Sequence, residues 1–424
     1  MPFTKVITRN FHLGHPASLK EYEASGGYEG LRKALKTLTP DETANVVMDS
    51  GLRGRGGAGF PTGKKWSFIE KQSPGPRYFV VNADEMEPGT FKDRFIMERD
   101  PHLLIEGIII GGYATGIGQG YIFIRYEYKD AADALTAAIA EAKSAGYLGR
   151  DIMGSGFSMD IEVHRSAGRY ECGEETALLN ALEGKRATPR SKPPFPPVAG
   201  LWQRPTVINN VETVANVAPI LSMGADAWKS LARSKDGAGV KLYGVSGRVK
   251  NPGLFELPIG TPLRELIEVH AGGMQDGYRF KACLPGGAST QLLTPEHLDV
   301  EMDFEQVVKA GSRLGTGCVT VLDDTCCTVR AMVNLTTFFT RESCGWCTPC
   351  RDGLPFVLDI LKRIEDGDAT LEDIEILKEN CDVIYPNTFC AFAPGAVSPV
   401  LSMLSLFRDE VEEHVKLGRC PLKS

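Results

Sequence analysis

The chain lacks an excess of positive charge: its 47 lysines and arginines face 54 aspartates and glutamates, giving a net charge of −7 over 424 residues. A protein that binds nucleic acid through phosphates carries a basic excess, so nucleic acid is not expected as a main partner. An uninterrupted apolar run of transmembrane length is also missing. The stretch from Leu103 to Ile124 contains Glu106, Gln119 and several glycines. We therefore expect a buried helix, a turn and a strand there rather than a membrane span.

No hydrophobic run comes after Met1–Lys5, so we expect no signal peptide. The 11 cysteines are an odd number and cluster toward the C-terminal end. Clustered cysteines in a chain without a secretion signal indicate a reducing, intracellular compartment rather than a framework of disulfides.

Three cysteines, Cys344, Cys347 and Cys350, stand at a spacing of three, and Cys390 comes further along the chain. Three closely spaced thiolates with a distant fourth are typical of a [4Fe–4S] cluster. The alternatives are zinc and free thiols, but structural zinc sites usually pair two such cysteine units, or one unit with two histidines. Only His414 comes after the triplet, so the spacing favours iron–sulfur and a function in electron transfer.

The fourth cluster ligand must be chosen among several cysteines. Cys381 lies on an apolar stripe with Ile374 and Leu377, which is typical of a cysteine inside a packed helix. Cys390 comes after the turn-forming segment 386–388, and a loop can aim a thiolate at a cluster, so Cys390 is the better candidate. The weaker candidates are Cys326, Cys327 and Cys420. The cysteines expected to be structural are Cys172, Cys283 and Cys318.

A second signal is the glycine-rich segment from Arg53 to Trp66. Its glycines expose backbone N–H groups, and Arg55, Lys64 and Lys65 add positive charge with no acid between them. Such a loop suits a phosphate-bearing ligand.

The order Gly54, Gly56 and Gly59 fits G-x-G-x-x-G, but that fingerprint should come after a strand and open a helix. Here a helical pattern precedes the loop and Pro61 interrupts the segment after it, while Ala58 occupies the first glycine position of a Walker A motif. We expect a phosphate- or flavin-binding loop that is not a standard Rossmann turn. The alternative is a tight structural turn.

Four polar segments could complete a ligand site. Polar groups after a strand, at a helix start or on a stiff proline-rich segment can contact ribose, ribityl or ring N–H groups. The alternatives are a solvated loop, acids that favour a helix dipole, and a helix cap. The segments are Asn82–Gly89, Tyr170–Thr176, Ser191–Pro197 with Phe195, and Asn209–Thr213.

Three domains are expected from the patterns along the chain. Residues 1–240 alternate strands and helices after an N-terminal approach, which predicts an α/β domain with a largely buried sheet. Residues 241–326 predict a small strand-strand-helix-strand module. Residues 327–424 show two apolar helical stripes and predict a four-helix bundle that holds the cluster in its connections.

Taken together, the motifs resemble one family: the flavin-bearing, NADH-oxidising subunit of respiratory complex I, NADH:quinone oxidoreductase. The resemblance covers nearly the whole chain, in order. It implies a Rossmann-like FMN and NADH domain with a non-standard glycine loop, a ubiquitin-like β-grasp middle domain and a helical [4Fe–4S] domain.

The resemblance also implies ligand residues. The cluster would be held by Cys344, Cys347, Cys350 and Cys390. The FMN would be held by Gly54, Arg55, Gly56, Lys65, Asn82, Asp84, Glu85, Tyr170, Gly173, Glu174, Asn209, Asn210 and Thr213. The NADH would contact Gly57, Phe60, Phe68, Glu87, Glu175, Lys192 and Phe195. One departure is Glu171, where the family usually has an apolar residue; it would either weaken dinucleotide binding or point to solvent.

The implied chemistry is conversion of a two-electron donor to one-electron carriers. NADH would give a hydride to FMN, and electrons would pass singly to the cluster, with no covalent catalytic residue. The implied partners are a thioredoxin-like [2Fe–2S] subunit and a larger multi-cluster subunit of a translocase-type enzyme. The chain would lie peripherally on the cytoplasmic side of the bacterial inner membrane, or on the matrix side in mitochondria.

Two other functions stay open. The chain could be the diaphorase subunit of an NAD-linked soluble hydrogenase or formate dehydrogenase. Those relatives often carry extra iron–sulfur domains at either end, which this chain does not show, so complex I is favoured. In a different class, it could be a non-catalytic iron–sulfur or zinc scaffold, but the glycine loop and the acidic motif argue against that.

Overall fold

The computed structural model describes residues 5–422, and the chain divides into two compact units. Within the described residues, the first unit comprises residues 5–86, 91–243 and 254–261, and the second comprises residues 87–90, 244–253 and 262–422. The predicted boundaries of three domains at residues 240 and 326 stay a prediction.

The first unit is built on a parallel sheet of four strands in the order β3-β2-β1-β4. In the register, Val81 pairs with Ile122 on one side and with Asn209 on the other. The strands are β1 Tyr78–Ala83, β2 Gln119–Ile124, β3 Asp160–Arg165 and β4 Thr206–Asn210.

Both faces of this sheet are buried. Phe79 and Val81 pack into one hydrophobic cluster, whereas Val80 packs with Phe123 and Leu178 into another. This alternation results from the two-residue period of a strand. Helices cover both faces, as expected for parallel strands joined by helical crossovers.

The helices of the first unit include the apolar helix α6, which packs against β1 and β2. Nearly all of α6 is buried, so this segment is a core helix as expected. The helices are α1 Leu19–Ala24, α2 Glu29–Thr37, α3 Pro40–Asp49, α4 Thr62–Ser67, α5 Lys92–Arg99, α6 Pro101–Thr115, α7 Lys129–Ser144, α8 Glu175–Leu182, α9 Pro196–Ala199, α10 Val211–Ala215, α11 Val217–Met223 and α12 Ala225–Lys229.

Glu106, the one acid inside α6, connects this core helix to α1 and α2 by hydrogen bonds. The Glu106 carboxylate accepts hydrogen bonds from the Tyr22 hydroxyl at 2.5 Å, from Tyr28 N at 2.8 Å and from Leu31 N at 2.9 Å. Burial raises the pKa of Glu106. Its hydrogen-bond donors offset part of the cost of burying this acid.

A second sheet has the strand order β6-β5-β8-β7. Strand β8 pairs in parallel with β5 and antiparallel with β7. A central last strand beside the first and third strands is the arrangement of a β-grasp sheet, so the predicted β-grasp fold is confirmed, although the strand-strand-helix-strand pattern did not include β8. The strands are β5 Val240–Ser246, β6 Gly253–Pro258, β7 Phe280–Leu284 and β8 Cys318–Asp323.

The C-terminal part is helical, and α15, α17, α18 and α19 pack against one another. The second predicted apolar stripe, which runs from Val397 to Val415, is not one helix, because it is broken at Phe407. Within residues 5–422, no helix is long and apolar enough to cross a membrane. The helices are α13 Leu263–Glu265, α14 Gln306–Lys309, α15 Thr328–Glu342, α16 Thr348–Arg351, α17 Gly353–Asp366, α18 Leu371–Ile384, α19 Phe392–Leu406 and α20 Arg408–Leu417.

Candidate functional site

The sheet of the first unit has a topological switch point between β1 and β4. Strands β2 and β3 lie on one side of β1, whereas β4 lies on the other. In open α/β sheets, ligands bind at the carboxyl ends of the strands at such a point. The predicted residues Asn82, Asp84, Asn209 and Asn210 lie at the carboxyl ends of these two strands.

The glycine loop runs from α3 to α4 and closes on itself. Gly54 N donates to Phe60 O at 2.8 Å, and Thr62 N donates to Leu52 O at 2.8 Å. The loop therefore connects two helices instead of coming after a strand. This confirms that it is not a standard Rossmann turn.

The tip of the loop packs against the end of β4. A Cβ added at Gly56 would lie 3.0 Å from the Asn210 Cβ, and Arg55 N donates to the Thr213 Oγ1 at 2.8 Å. Gly57 has a φ of +128°, and a Cβ there would meet no atom within 4 Å. The loop thus brings the backbone next to the switch point and leaves open space at Gly57. This arrangement fits a phosphate-bearing ligand.

The Arg55 side chain points inward. Its guanidinium is buried and donates to the backbone oxygens of Ala238 and Val240 at 3.0 Å. Burial lowers the pKa of Arg55. A contact of Arg55 with a ligand would therefore come from its backbone, while charge near the loop would come from Lys65.

A chain of ion pairs borders the same region. Lys65 Nζ lies 3.0 Å from Glu175 Oε2, and Lys192 Nζ lies 3.2 Å from Glu175 Oε1 and 2.9 Å from Glu174 Oε1. Burial acts to raise the pKa of Glu175, but the charges of Lys65 and Lys192 outweigh it, and the pKa is lowered. Glu175 is held as a carboxylate between two ammonium groups.

The predicted polar residues are also fixed by the protein itself. Asn82 Nδ2 donates to Gly173 O at 3.0 Å, and the Ser166 hydroxyl donates to Asp84 Oδ1 at 2.9 Å. Asn209 Oδ1 accepts from the indole of Trp66 at 2.8 Å. These contacts set the side-chain orientations before any ligand binds.

Asn210 begins α10 as its N-cap and accepts from Glu212 N at 3.0 Å. Glu85 accepts from the backbone N–H groups of Asp93 and Arg94 at 2.8 and 3.0 Å. Burial, with the charge of Asp93, raises the pKa of Glu85 to about 7. Both side chains therefore have structural roles beside the ligand roles that the resemblance implies.

A buried ion network that the sequence did not reveal lies beneath these residues. Glu212 Oε2 lies 2.9 Å from Lys92 Nζ and 3.2 Å from Lys241 Nζ, and all three side chains are buried. Burial acts to raise the pKa of Glu212, but the charges of Lys241, Lys92 and Arg55 lower it to about 2. Because these residues are far apart in sequence, no local pattern connects them.

Three exposed aromatic side chains were predicted to contact the dinucleotide. Phe60, Phe68 and Phe195 are 45%, 49% and 55% exposed. The rings of Phe60 and Phe68 lie 6.3 Å apart between centroids. Large exposed rings of this kind are suited to stack against a nucleotide base.

Two predicted acids have different surroundings. Glu171 lies in the short 3-10 turn Tyr170–Gly173 and is 4% exposed, which argues against the second of its two alternatives, that it points to solvent. Glu87 belongs to the second unit, where its carboxylate accepts from Ser289 N at 2.7 Å.

The cysteine triplet lies between α15 and α17. Cys347 precedes α16 as its N-cap and Cys350 lies within it. Phe389 N donates to Cys347 Sγ at 3.4 Å, and the Trp346 and Phe389 rings lie 4.9 Å apart between centroids. The loop that carries Cys390 therefore contacts the triplet, as it must if Cys390 is the fourth cluster ligand.

The competing cysteines lie elsewhere. Cys381 is fully buried inside α18, as predicted. The Cys326 thiol lies 3.2 Å from Asp323 Oδ2, whereas Cys327 and Cys420 lie together in another group of side chains. The cysteines expected to be structural, Cys172, Cys283 and Cys318, are buried.

Comparison with known proteins adds to this geometry. Residues 47–219 match the Nuo51 FMN-binding domain, residues 242–293 match the SLBB domain, and residues 330–414 match the NADH-ubiquinone oxidoreductase-F iron–sulfur binding region. The F subunit of NADH-quinone oxidoreductase from Escherichia coli K12 is 56% identical over 403 residues, covering 95% of this chain and 90% of that protein. The chain belongs to the F-subunit family of NADH-quinone oxidoreductases.

Another member and one solved structure agree with this assignment. The F 2 subunit of NADH-quinone oxidoreductase from Rhizobium meliloti is 51% identical over 99% of both chains. A crystal structure of an NAD⁺-reducing [NiFe]-hydrogenase matches with a TM-score of 0.84 and 36% identity, over 95% of this chain and 67% of that one. The family, the fold class and the FMN and [4Fe–4S] cofactors predicted from the sequence are thereby confirmed.

Proposed function

We propose that this chain oxidises NADH and passes the electrons singly to an iron–sulfur cluster, as the electron-input subunit of a complex I. The proposal rests mainly on the glycine loop, which packs on the switch point of the sheet in the first unit. The second unit contains the cysteine triplet and the Cys390 loop. When bound, FMN accepts a hydride and releases electrons one at a time, which links NADH to a one-electron cluster.

The flavin phosphate is assigned to the glycine loop. Gly54, Arg55 and Gly56 would offer backbone contacts, and Lys65 would offer its ammonium group. The amide and carboxyl side chains at the ends of β1 and β4 would orient the ring and the ribityl chain. Because their hydrogen bonds within the protein already fix them, these groups can bind without a large loss of side-chain entropy. The other residues in the FMN set are Asn82, Asp84, Glu85, Tyr170, Gly173, Glu174, Asn209, Asn210 and Thr213.

The NADH is assigned to the exposed aromatic residues and the ion-pair chain. Phe60, Phe68 and Phe195 would contact the adenine, with Lys192 nearby. Gly57 would allow close approach, while Glu87 and Glu175 would face the dinucleotide. A carboxylate near the adenosine ribose accepts from a 2′-hydroxyl and repels a 2′-phosphate.

The cluster is assigned to Cys344, Cys347, Cys350 and Cys390. The contact between Phe389 N and Cys347 Sγ supports Cys390 as the fourth ligand. The burial of Cys381 inside α18 argues against the nearest competitor.

The wider setting is inferred from the family. We assign the chain to a translocase-type NADH:quinone oxidoreductase, in contact with a thioredoxin-like [2Fe–2S] subunit and a larger multi-cluster subunit. Its place would be peripheral, on the cytoplasmic side of the bacterial inner membrane or on the matrix side in mitochondria.

A direct test combines cofactor analysis with a simple assay. The purified chain is expected to release about one FMN and to contain about four irons, and to reduce ferricyanide with NADH. A colourless protein with iron but no flavin would instead support a scaffold and overturn the proposal.

The hydrogenase match favours one alternative, a diaphorase subunit of an NAD-linked hydrogenase. Both functions need the same NADH and flavin chemistry, so an assay on the isolated chain does not separate them. Affinity purification from the native cells does, because the two assemblies have different partner subunits.

A further inference from the structure

A group of four metal-binding side chains lies in the second unit, outside the residues assigned to the iron–sulfur cluster. Cys327, Glu365, His414 and Cys420 each offer one ligand atom, and these atoms all lie within 4.8 Å of one another. All four residues are buried, His414 completely. Two thiols, an imidazole and a carboxyl group are the ligands that zinc takes in proteins.

The spacing of the atoms fits a tetrahedral ion. Cys327 Sγ lies 3.2 Å from His414 Nε2 and 3.3 Å from Glu365 Oε2, and the last two atoms lie 3.5 Å apart. Bonds of about 2.3 Å to sulfur and about 2.0–2.2 Å to nitrogen and oxygen place tetrahedral ligand atoms about 3.3–3.8 Å apart. These three edges are therefore close to those of a zinc site, and the fourth ligand atom, Cys420 Sγ, lies within 4.8 Å of the other three.

The surrounding contacts orient two of the ligands. His414 Nδ1 lies 2.7 Å from Glu410 O, which as an acceptor requires a proton on Nδ1 and leaves the lone pair of Nε2 facing the group. Arg330 Nε donates to Glu365 Oε1 at 2.9 Å, so Oε2 is the oxygen that faces the group. Such outer contacts are typical of metal-binding histidines and carboxylates.

The charges of the four ligands and their surroundings also balance. Two thiolates and one carboxylate carry three negative charges, which a divalent ion and the Arg330 guanidinium offset. Arg330 N additionally donates to Cys327 Sγ at 3.3 Å, where Cys327 is the N-cap of α15. A buried anionic group of this kind is costly unless cations compensate it.

The four residues come from four places in the chain. Cys327 precedes α15, Glu365 lies near the end of α17, His414 lies in α20, and Cys420 comes after α20. An ion bound to all four residues would connect the start of the helical region to its C-terminal end. Only His414 and Cys420 lie close together in the sequence, so no local motif reveals all four residues.

We propose that Cys327, Glu365, His414 and Cys420 bind one structural zinc ion. The site is separate from the iron–sulfur ligands and does not depend on the electron-transfer function proposed above.

The test is metal analysis of the full chain, purified with its cofactors from zinc-supplemented cells and dialysed. One zinc per chain is expected in addition to iron. X-ray absorption at the zinc edge is expected to show two sulfur neighbours at about 2.3 Å and two nitrogen or oxygen neighbours at about 2.0 Å.

Variants assign the zinc to these residues. Cys420→Ala and His414→Ala are expected to lower zinc at least fivefold while FMN and iron stay unchanged. Cys381→Ser, a change of another buried thiol in the helical region, should keep the zinc. If a variant does not fold, X-ray absorption at the zinc edge of the unmodified protein tests the proposal by the number of sulfur neighbours.

Three results would overturn the proposal. The first is zinc far below one per chain in the unmodified protein. The second is a zinc coordination of four sulfurs, which would indicate zinc in the cysteine set of the cluster. The third is a folded Cys420→Ala or His414→Ala variant that keeps its zinc.

Discussion

At the scale of single residues, Glu175 combines burial with two ion pairs. Its carboxylate contacts Lys65 and Lys192 at 3.0 and 3.2 Å, and their charges lower its pKa. It is therefore ionised at neutral pH, as the proposed rejection of a 2′-phosphate requires.

We expect this protein to prefer NADH over NADPH, with Glu175 as a main cause. Glu175→Ala should narrow the preference by about tenfold or more, because one like-charge repulsion of about 1.4 kcal/mol is removed. Glu175→Gln keeps the shape without the charge and should act in the same direction. The measurement is the ratio of kcat/KM for the two cofactors with ferricyanide. An unchanged ratio in both variants would exclude Glu175 as the discriminator and make Glu171 the next residue to test.

The cysteines give a second prediction at this scale. Cys344→Ser and Cys390→Ser should lose the iron–sulfur cluster and keep FMN, because the flavin residues belong to the first unit and these cysteines to the second. Iron and flavin analysis of each variant checks this, with Cys381→Ser as a control that should keep its iron. A full complement of iron in Cys390→Ser would remove Cys390 from the ligand set.

Sequence patterns predicted the surroundings of some of these residues but not of others. Cys381 and Cys390 could be told apart because an apolar helical period and a turn signal are local properties. The ion network of Glu212, Lys92 and Lys241 could not be predicted from the sequence. Each residue alone has the pattern of a solvated charge, and only the fold brings the three together.

At the scale of elements, the glycine loop depends on the strand that it packs against. The carboxyl end of β4 presents Asn210, which also begins α10. The close approach of Gly56 to Asn210 leaves little room for a side chain.

Gly56→Ala should therefore push the loop away from β4 and lower the flavin content by at least several-fold. Gly118→Ala is a matched control, because its added Cβ would meet the Ser158 oxygen at 3.2 Å, outside the loop and the end of β4. The measurement is FMN released per chain. Equal flavin in the two variants would contradict the assignment of this loop to the flavin.

The buried helix and the strand that were predicted between Leu103 and Ile124 are present as α6 and β2. Strand β4 was missed, since only five residues form it and its polar end was interpreted as a ligand-binding segment or a helix cap. That end does cap α10, so the local interpretation was correct although the strand was not seen. The pairing of β4 with β1, which creates the switch point, is a non-local property that no sequence period encodes.

At the scale of the whole molecule, the chain carries residues for a flavin and for one cluster. Family membership implies further subunits, because the relatives are named as subunits of a larger oxidoreductase. An electron that reaches the cluster therefore needs an acceptor outside this chain.

We expect the isolated chain to reduce ferricyanide with NADH but to reduce no quinone at a useful rate. Co-expressed with the [2Fe–2S] subunit, it should purify as a complex. The measurements are the two acceptor assays and size-exclusion chromatography of the co-expressed pair. A monomer that ignores the partner and passes electrons directly to quinone would indicate a free-standing NADH dehydrogenase.

The most direct test of the proposed function is anaerobic addition of NADH to the purified chain, with flavin absorption and electron paramagnetic resonance as the readouts. We expect the flavin band to be lost and the signal of a reduced [4Fe–4S] cluster to appear. In Cys390→Ser the flavin band should still be lost, while no cluster signal appears. A flavin that stays oxidised under excess NADH, or a cluster signal that forms without flavin bound, would overturn the proposed function.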